Sequence, residues 1–413
     1  MNVLQVNYTD TLGSRFNGGA LIEWLRANGH HALHAVDYAA DKQSVPLYPE
    51  WYQPVAAAVS RFTRRAETRL SLQSVLPIQS FLLPFTPSFR AADIVHYHII
   101  HNNDFFSYMA FPWLSRLKPT VWSLHDPWAL TGHCVHPLAC DGWVRGCKSC
   151  PHLDYPLSIR RDRAWLNYKL KRLAYHRSNF NLVVASQWMK GLVERSPLLQ
   201  QFPIHLIPFG LDLNVFSPGN KIEAKAKLGI ANDRVVIGLR AMLGPYKGFD
   251  YAKAALEALP EDAPVLILTC QTYGLLSSLR RKFPVIDLGE LSDDRMMADF
   301  FRACDIHLMP SVAESFGLMA MEAAACGVPS VVFSGTPLEE VGFAPNGSIA
   351  VEMRNVTQLR DALNALVLDP ELRRSMGATA RELAAQRYGF DQHAEQMLAL
   401  YRSIARSGKV KAD

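Results

Sequence analysis

Two glutamates, Glu314 and Glu322, bracket the chemically densest stretch of the chain, Pro310-Ser311-Val312-Ala313-Glu314-Ser315-Phe316-Gly317-Leu318. Upstream, Arg240 and Lys247 stand in a stretch that also holds Gly244 and Gly248. A guanidinium supplies a rigid two-pronged donor and an ammonium a mobile point charge. Together the cations suit a diphosphate and the carboxylates suit sugar hydroxyls, so the set suits a nucleotide diphosphate sugar. The pattern Asp-Ile-His-Leu-Met-Pro over 305–310 predicts a strand that runs into Ser-x-x-Glu and then a helix, whose unpaired first amides would face a ligand. The plainer alternative is a capped helix with two solvated acids, and a solvated surface for Arg240 and Lys247. Placement directly after a predicted strand, beside glycines, argues for phosphate contact.

A second constellation lies in the first half. His125 follows the apolar run Val-Trp-Ser-Leu and precedes Asp126, which could orient it. Cys134, Cys140, Cys147 and Cys150 follow closely. Four thiolates at this spacing suit a closed structural zinc site that staples an irregular loop; two disulfides, four unconnected thiols and an iron–sulfur cluster are the alternatives. Cys270, Cys304 and Cys326 fall in strand or helix patterns and read as small buried hydrophobes. The adjacent acids Asp293 and Asp294 read as the start of a helix rather than as metal ligands. No metal-binding spacing accompanies them, so the diphosphate is expected to be neutralised by Arg240, Lys247 and helix dipoles without a catalytic cofactor. Between Arg160 and Arg177 the chain places Arg161, Arg163, Lys169, Lys171 and Arg172 among Trp165, Tyr168 and Tyr175, a pattern suited to an anionic lipid surface or to a solvated helix. The same two readings apply to Arg61, Arg64, Arg65 and Arg69.

Alternating strands and helices must position these groups. In the first half, Val3–Val6 and a strand from His31 flank a helix that starts at Gly18 and Gly19 and is closed by Gly29, a β-loop-α-β unit. Further strands are predicted over 92–98, 120–124, 182–185 and 204–208, then 234–239, 265–269, 284–287, 306–309 and 329–333. This pattern predicts an α/β protein of two doubly wound, Rossmann-like domains, with ligands at the carboxyl ends of strands in a cleft between them. The expected boundaries are 1–210, a linker at 211–230, 231–378, and a helical segment at 379–405 before a polar tail at 407–413.

At 413 residues and 46.2 kDa the chain exceeds the size at which one core usually stays single, in agreement with two domains. A net charge of +5 without long basic tracts argues against nucleic acid as a partner. The opening residues read as a strand rather than a leader, and no apolar run reaches the length of a membrane span. The odd count of seven cysteines argues against an oxidised scaffold. The expected location is the cytoplasm, with peripheral contact at the inner face of the plasma membrane left open.

Over essentially its full length the chain resembles the retaining GT-B glycosyltransferases of family 4. The resemblance is carried by NGGALIEWLRANGHH near the start, IPFGLDLNVF at 207–216, IGLRAMLGPYKGFD at 237–250, the long run LGELSDDRMMADFFRACDIHLMPSVAESFGLMAMEAAACGVPSVV at 288–332, and the late YGF. The segment SLHDPWALTGHCVHPLACDGWVRGCKSCPHLDYP at 123–156 is similar to a cysteine-rich subgroup associated with colanic-acid-type exopolysaccharide synthesis. The resemblance implies transfer of a hexose from a UDP- or GDP-sugar, with retention, to a glycan acceptor that is lipid-linked, and a last helix that crosses back onto the first domain. It also implies roles: Glu322 on the ribose hydroxyls, Glu314 near the donor sugar, Ser315, Phe316, Gly317 and Leu318 as backbone donors, and Leu291 near the base. Gly18 and Gly19 would approach the diphosphate and acceptor, with His125 as the acceptor-side histidine. Same-face proton transfer from acceptor to leaving phosphate and a covalent intermediate on Glu314 both stay open. So do another nucleotide-sugar enzyme, such as an epimerase or a transferase to a soluble acceptor, and a noncatalytic carbohydrate-binding scaffold.

Overall fold

Short apolar runs bounded by turn residues give parallel strands that helices cover on both faces. The first seven are β1 (Asn2–Thr9), β2 (His31–Tyr38), β3 (Val45–Pro46), β4 (Ile94–Tyr97), β5 (Thr120–Ser123), β6 (Asn181–Val184) and β7 (Ile204–Leu206). They form one sheet in the order β3-β2-β1-β4-β5-β6-β7. Six more are β8 (Val235–Arg240), β9 (Val265–Cys270), β10 (Val285–Asp287), β11 (Ile306–Met309), β12 (Ser330–Phe333) and β13 (Ser348–Val351). Their order is β10-β9-β8-β11-β12-β13. All pairings recorded within both sheets are parallel. The computed structural model describes residues 1–10, 15, 18–101, 105–240, 242–271 and 274–410, with side chains through Arg406. Asn17 and Ala241, inside two of the quoted motifs, and the end of the polar tail at 411–413 lie outside the described residues.

The chain divides into two units, 1–209 with 393–413 and 210–392. The stretch expected to be a linker, 211–230, is instead part of the second unit because its apolar and basic anchors are buried there. Phe216 is fully buried, Leu211 bridges to Gly389, and Lys225 bonds Asp305 at 2.7 Å. The expected helical segment at 379–405 is two helices, Pro370–Arg387 and Phe390–Val410. The break at Tyr388 and Gly389 is held from outside: the Leu211 amide donates to the Tyr388 carbonyl at 2.7 Å, and the Phe390 amide to the Leu211 carbonyl at 2.9 Å. From His393 onward the last helix belongs to the first unit, where Tyr401 is fully buried. That helix also takes in 407–410, which composition placed in the tail.

In each sheet the strand order reverses beside the unit's first strand, between β1 and β4 and between β8 and β11. Loops leaving the carboxyl ends of such a strand pair diverge and open a crevice, the usual ligand position in doubly wound sheets. Arg240, Lys247 and Glu314 lie on or after β8 and β11, and His125 follows β5, the neighbour of β4.

Candidate functional site

In the second unit, the loop after β8 and the loop after β11 are sewn together. The Val312 amide donates to the Tyr246 carbonyl at 2.8 Å and the Ala313 amide to the same carbonyl at 3.3 Å. Gly248 permits the approach: its φ is +66°, and a Cβ there would stand 1.8 Å from the Pro310 carbonyl oxygen. This seam brings Lys247 Nζ to 2.6 Å from Glu314 Oε1. The carboxylate is mostly buried while the lysine is 40% exposed, so the cation remains open to an anionic ligand. Arg240 ends β8 in register with Cys270, and its guanidinium is exposed. Burial raises the Cys270 thiol to about 11, and Arg240, Asp287 and Glu322 all act on it electrostatically, which locates Glu322 near the same strand ends.

Glu322 is buried on the helix Leu318–Ala325, and Gly317 caps that helix with φ +102°. A Cβ at Gly317 would meet Leu338 Cδ2 at 2.2 Å, so the tight entry requires glycine. The Phe316 ring is buried edge-on to Tyr388, with centroids 5.8 Å apart, leaving only its backbone for a ligand. Leu291 lines a different pocket, of about 420 Å³, with Leu288, Met296 and Phe300. Asp293 caps the helix Asp294–Ala303 by accepting from the Met296 amide at 2.8 Å, the role expected of an acid at that position.

In the first unit, Gly18, His98, His125 and Ser123 line one pocket together with Phe209 and His393. His125 is stacked on Phe209, centroids 5.7 Å apart, and its Nε2 lies 3.0 Å from His98 Nδ1. Burial drives the His125 ring down to about 4, with Asp126 opposing and His101 reinforcing the shift, so the imidazole is neutral near pH 7. Asp126 does not supply the hydrogen bond recorded for this ring. Its carboxylate lies 3.1 Å from His101 Nε2 and accepts from the Trp128 amide at 2.8 Å. Burial pushes Asp126 up, but these partners prevail and hold it below the usual carboxylate range. Gly18 has φ +88° and Gly19 opens the helix Gly19–Ala27.

Sequence reasoning missed Gln5, His96, His98 and Tyr401. His96 and His98 alternate along β4 and its exit, a pattern legible in His-Tyr-His, but their partners come from β1, from β5 and its exit, and from the last helix. It also missed His133, whose Nε2 is 3.1 Å from Cys150 Sγ. The basic-aromatic segment is half interior: Lys171, Tyr168 and Tyr175 are buried. Lys171 Nζ donates to the carbonyls of Trp128 at 2.5 Å and Thr131 at 3.0 Å, tying the cysteine-bearing loop to the helix Ala164–Tyr175. Arg160, Arg161, Lys169 and Arg172 are exposed, and Lys169 lies over the ring of exposed Trp165.

Residues 220–383 match the family model described as glycosyl transferases group 1. A D-inositol 3-phosphate glycosyltransferase of Xylanimonas cellulosilytica is 32% identical over 212 residues, 48% of this chain and 51% of that protein. The chain thus spans about half the length of the curated relatives it matches. In fold, 98% of the chain is similar to 100% of a sucrose-phosphate synthase from Thermosynechococcus elongatus, with TM-score 0.66 and 17% identity. Equally, 98% is similar to 100% of Anabaena HepE, solved in complex with UDP-glucose, with TM-score 0.65 and 16% identity. These likenesses show the fold, GT-B, with two parallel-sheet α/β units and a C-terminal helix.

Proposed function

We propose that this protein is a retaining glycosyltransferase whose second unit holds a nucleotide diphosphate sugar and whose first unit receives a hydroxyl acceptor. The observation that carries the reading is the Lys247–Glu314 pair, 2.6 Å apart at the strand-order reversal of the second sheet, with Arg240 and buried Glu322 at the same strand ends. As a diphosphate departs, charge grows on its oxygens, and preplaced cations stabilise it most where it develops. Lys247 and Arg240 take that role, Glu314 orients the sugar, and Glu322 accepts from the ribose. UDP-glucose bound to a protein of the same fold supports such a donor. His125, half-buried and neutral, positions the acceptor. A donor screen read as ligand-dependent thermal stabilisation, followed by product analysis for retained anomeric configuration, tests the reading. No stabilisation by any UDP- or GDP-sugar would end it.

The acceptor named for the curated relatives, an inositol phosphate, favours a soluble acceptor over the lipid-linked saccharide of exopolysaccharide synthesis. The exposed cations around Trp165 support the lipid-linked alternative. Among the described residues, no helix is long and apolar enough to cross a membrane. Neutralising Arg160, Arg161, Lys169 and Arg172 should lower binding to anionic vesicles at low salt, with donor affinity unchanged. Equal vesicle binding by both proteins at every salt concentration would leave the soluble acceptor alone.

The proposal includes a structural zinc ion. Cys134, Cys140, Cys147 and Cys150 are partly buried free thiols that act electrostatically on one another. The Gly132 amide points at Cys147 Sγ, 3.2 Å away, and the Gly142 amide at Cys140 Sγ, 3.4 Å away, the orientation that favours thiolates. Among the described residues no three potential ligands already form a coordination shell, so the ion would draw the loop inward as the thiols deprotonate. Elemental analysis of tag-free protein should find about one zinc per chain; metal-free protein with four titratable thiols in this loop would discard the site. Turnover should survive chelation of free Mg²⁺ and Mn²⁺.

A further inference from the structure

We infer that His98 is a positioning residue that fixes the ring and the protonated nitrogen of His125, through a buried hydrogen-bond chain that starts at Tyr401 and passes Gln5. This deepens the proposed function and rests on it for its catalytic consequence alone; the chain itself lies wholly within the first unit.

The direction of the chain follows from what each group can donate. Tyr401 Oη lies 2.7 Å from His96 Nδ1, a length suited to a phenol donating to a bare ring nitrogen. His96 then carries its hydrogen on Nε2 and donates to Ser123 Oγ at 2.7 Å. With its own proton committed, the Tyr401 oxygen accepts from Gln5 Nε2 at 3.2 Å. The other end of that amide, Gln5 Oε1, can only accept, and it faces His98 Nε2 at 2.6 Å. With the Gln5 amide in this orientation, a neutral His98 is protonated on Nε2 and bare on Nδ1. His98 Nδ1 accepts from His125 Nε2 at 3.0 Å. A neutral His125 with its hydrogen on Nε2 has Nδ1 as its acceptor atom.

Packing keeps the chain in this form. His96 and His98 have centroids 4.2 Å apart, His98 and His125 are stacked at 5.3 Å, and the Trp122 indole donates to the His98 carbonyl at 3.2 Å. Gly18 gives the chain room: a Cβ there would stand 2.8 Å from His98 Nε2 and 3.0 Å from Gln5 Oε1, pressed against the bond between them. The resemblance assigns this glycine to ligand approach, and the geometry adds the protection of a buried bond. In this state the ring of His125 holds one tautomer and one orientation, which is what positioning an incoming hydroxyl requires.

The test uses the full chain with ¹⁵N-labelled histidine. The wild type should show His125, assigned through His125→Gln, as the Nε2–H tautomer. His98→Phe keeps a ring but removes both nitrogens; it should abolish the single tautomer and lower kcat on the order of 10-fold, with donor KM unchanged. His98→Asn, which restores an acceptor near Nδ1, should recover both readouts. Should His98→Phe fail to fold, Tyr401→Phe removes the proton that sets the direction and should give mixed tautomers at His96 and His125. An Nδ1–H tautomer of His125 in the wild type, or an unchanged tautomer and kcat in the variants, overturns the inference. Protein with the expected tautomers and no transfer with any nucleotide sugar would sink glycosyl transfer and leave the chain standing.

Discussion

The two strand-order reversals share one topology and present different side-chain chemistry. At the first, between β1 and β4, burial holds His96 and His125 below the ordinary imidazole range, and His98 bonds His125 and the uncharged Gln5. At the second, between β8 and β11, a partly exposed ammonium meets a carboxylate and an exposed guanidinium stands nearby. A doubly wound sheet thus fixes where chemistry occurs, while the residues on the diverging loops set its kind. Charge stabilisation suits a departing diphosphate, and a neutral hydrogen-bonded ring suits an uncharged hydroxyl.

The largest expected difference between the units is acid sensitivity. His125 in the folded chain titrates at about 4, below the ordinary 6.5, because burial penalises the charged ring. Between those values the unfolded chain binds more protons, so stability is complete above pH 6.5 and falls as pH drops toward 4. The loss from His125 alone is about 3 kcal/mol once pH is below 4. His96 and His393 are lowered in the same sense by burial, whereas the second unit has His307, lowered to about 3. All eight tryptophans lie within residues 1–209. Tryptophan fluorescence should therefore report acid unfolding at a higher pH than far-ultraviolet dichroism of the whole chain; coincident transitions would erase the contrast.

Removing charge from the second site comes next. Arg240→Ala and Lys247→Ala should each lower kcat about 100-fold, the effect of deleting one strong transition-state donor. Folded variants with near wild-type kcat would contradict the diphosphate role. Glu322→Ala should weaken donor affinity about 10-fold with kcat nearly intact, since ribose contacts are equal in ground and transition states. Collapsed kcat at unchanged donor affinity would move Glu322 from binding to chemistry. The smallest effect is expected at Asp293→Ala, which loses a helix cap worth about 1 kcal/mol in thermal unfolding. Activity should persist, and its loss at full stability would revive a metal role for the acids.

What the sequence determined by itself was local. Strand-forming runs such as Val-Leu-Ile-Leu-Thr are fixed by burial on both faces, and cap chemistry marked Asp293. Gly248 stands in the sequence as a glycine beside Lys247, and the structure supplies the reason for it: no other residue tolerates its backbone at so close an approach to Pro310. β13 was missed because Ser348–Val351 is short and takes its identity from pairing with β12. Leu211 and Phe216 looked like a linker because burial there is supplied by residues far along the chain. The tertiary structure alone decided which side of the Ala164–Tyr175 helix is solvent, turning Lys171 from a surface cation into an interior clamp. It also decided the partner of His125. Asp126 is its sequence neighbour, yet a side chain next in the chain at a strand exit points elsewhere, while β1, β4 and the final helix bring Gln5, His98 and Tyr401 together. Hydrogen bonds between such distant segments leave no periodic trace in a sequence, because their geometry exists only once the sheet has fixed the strand order.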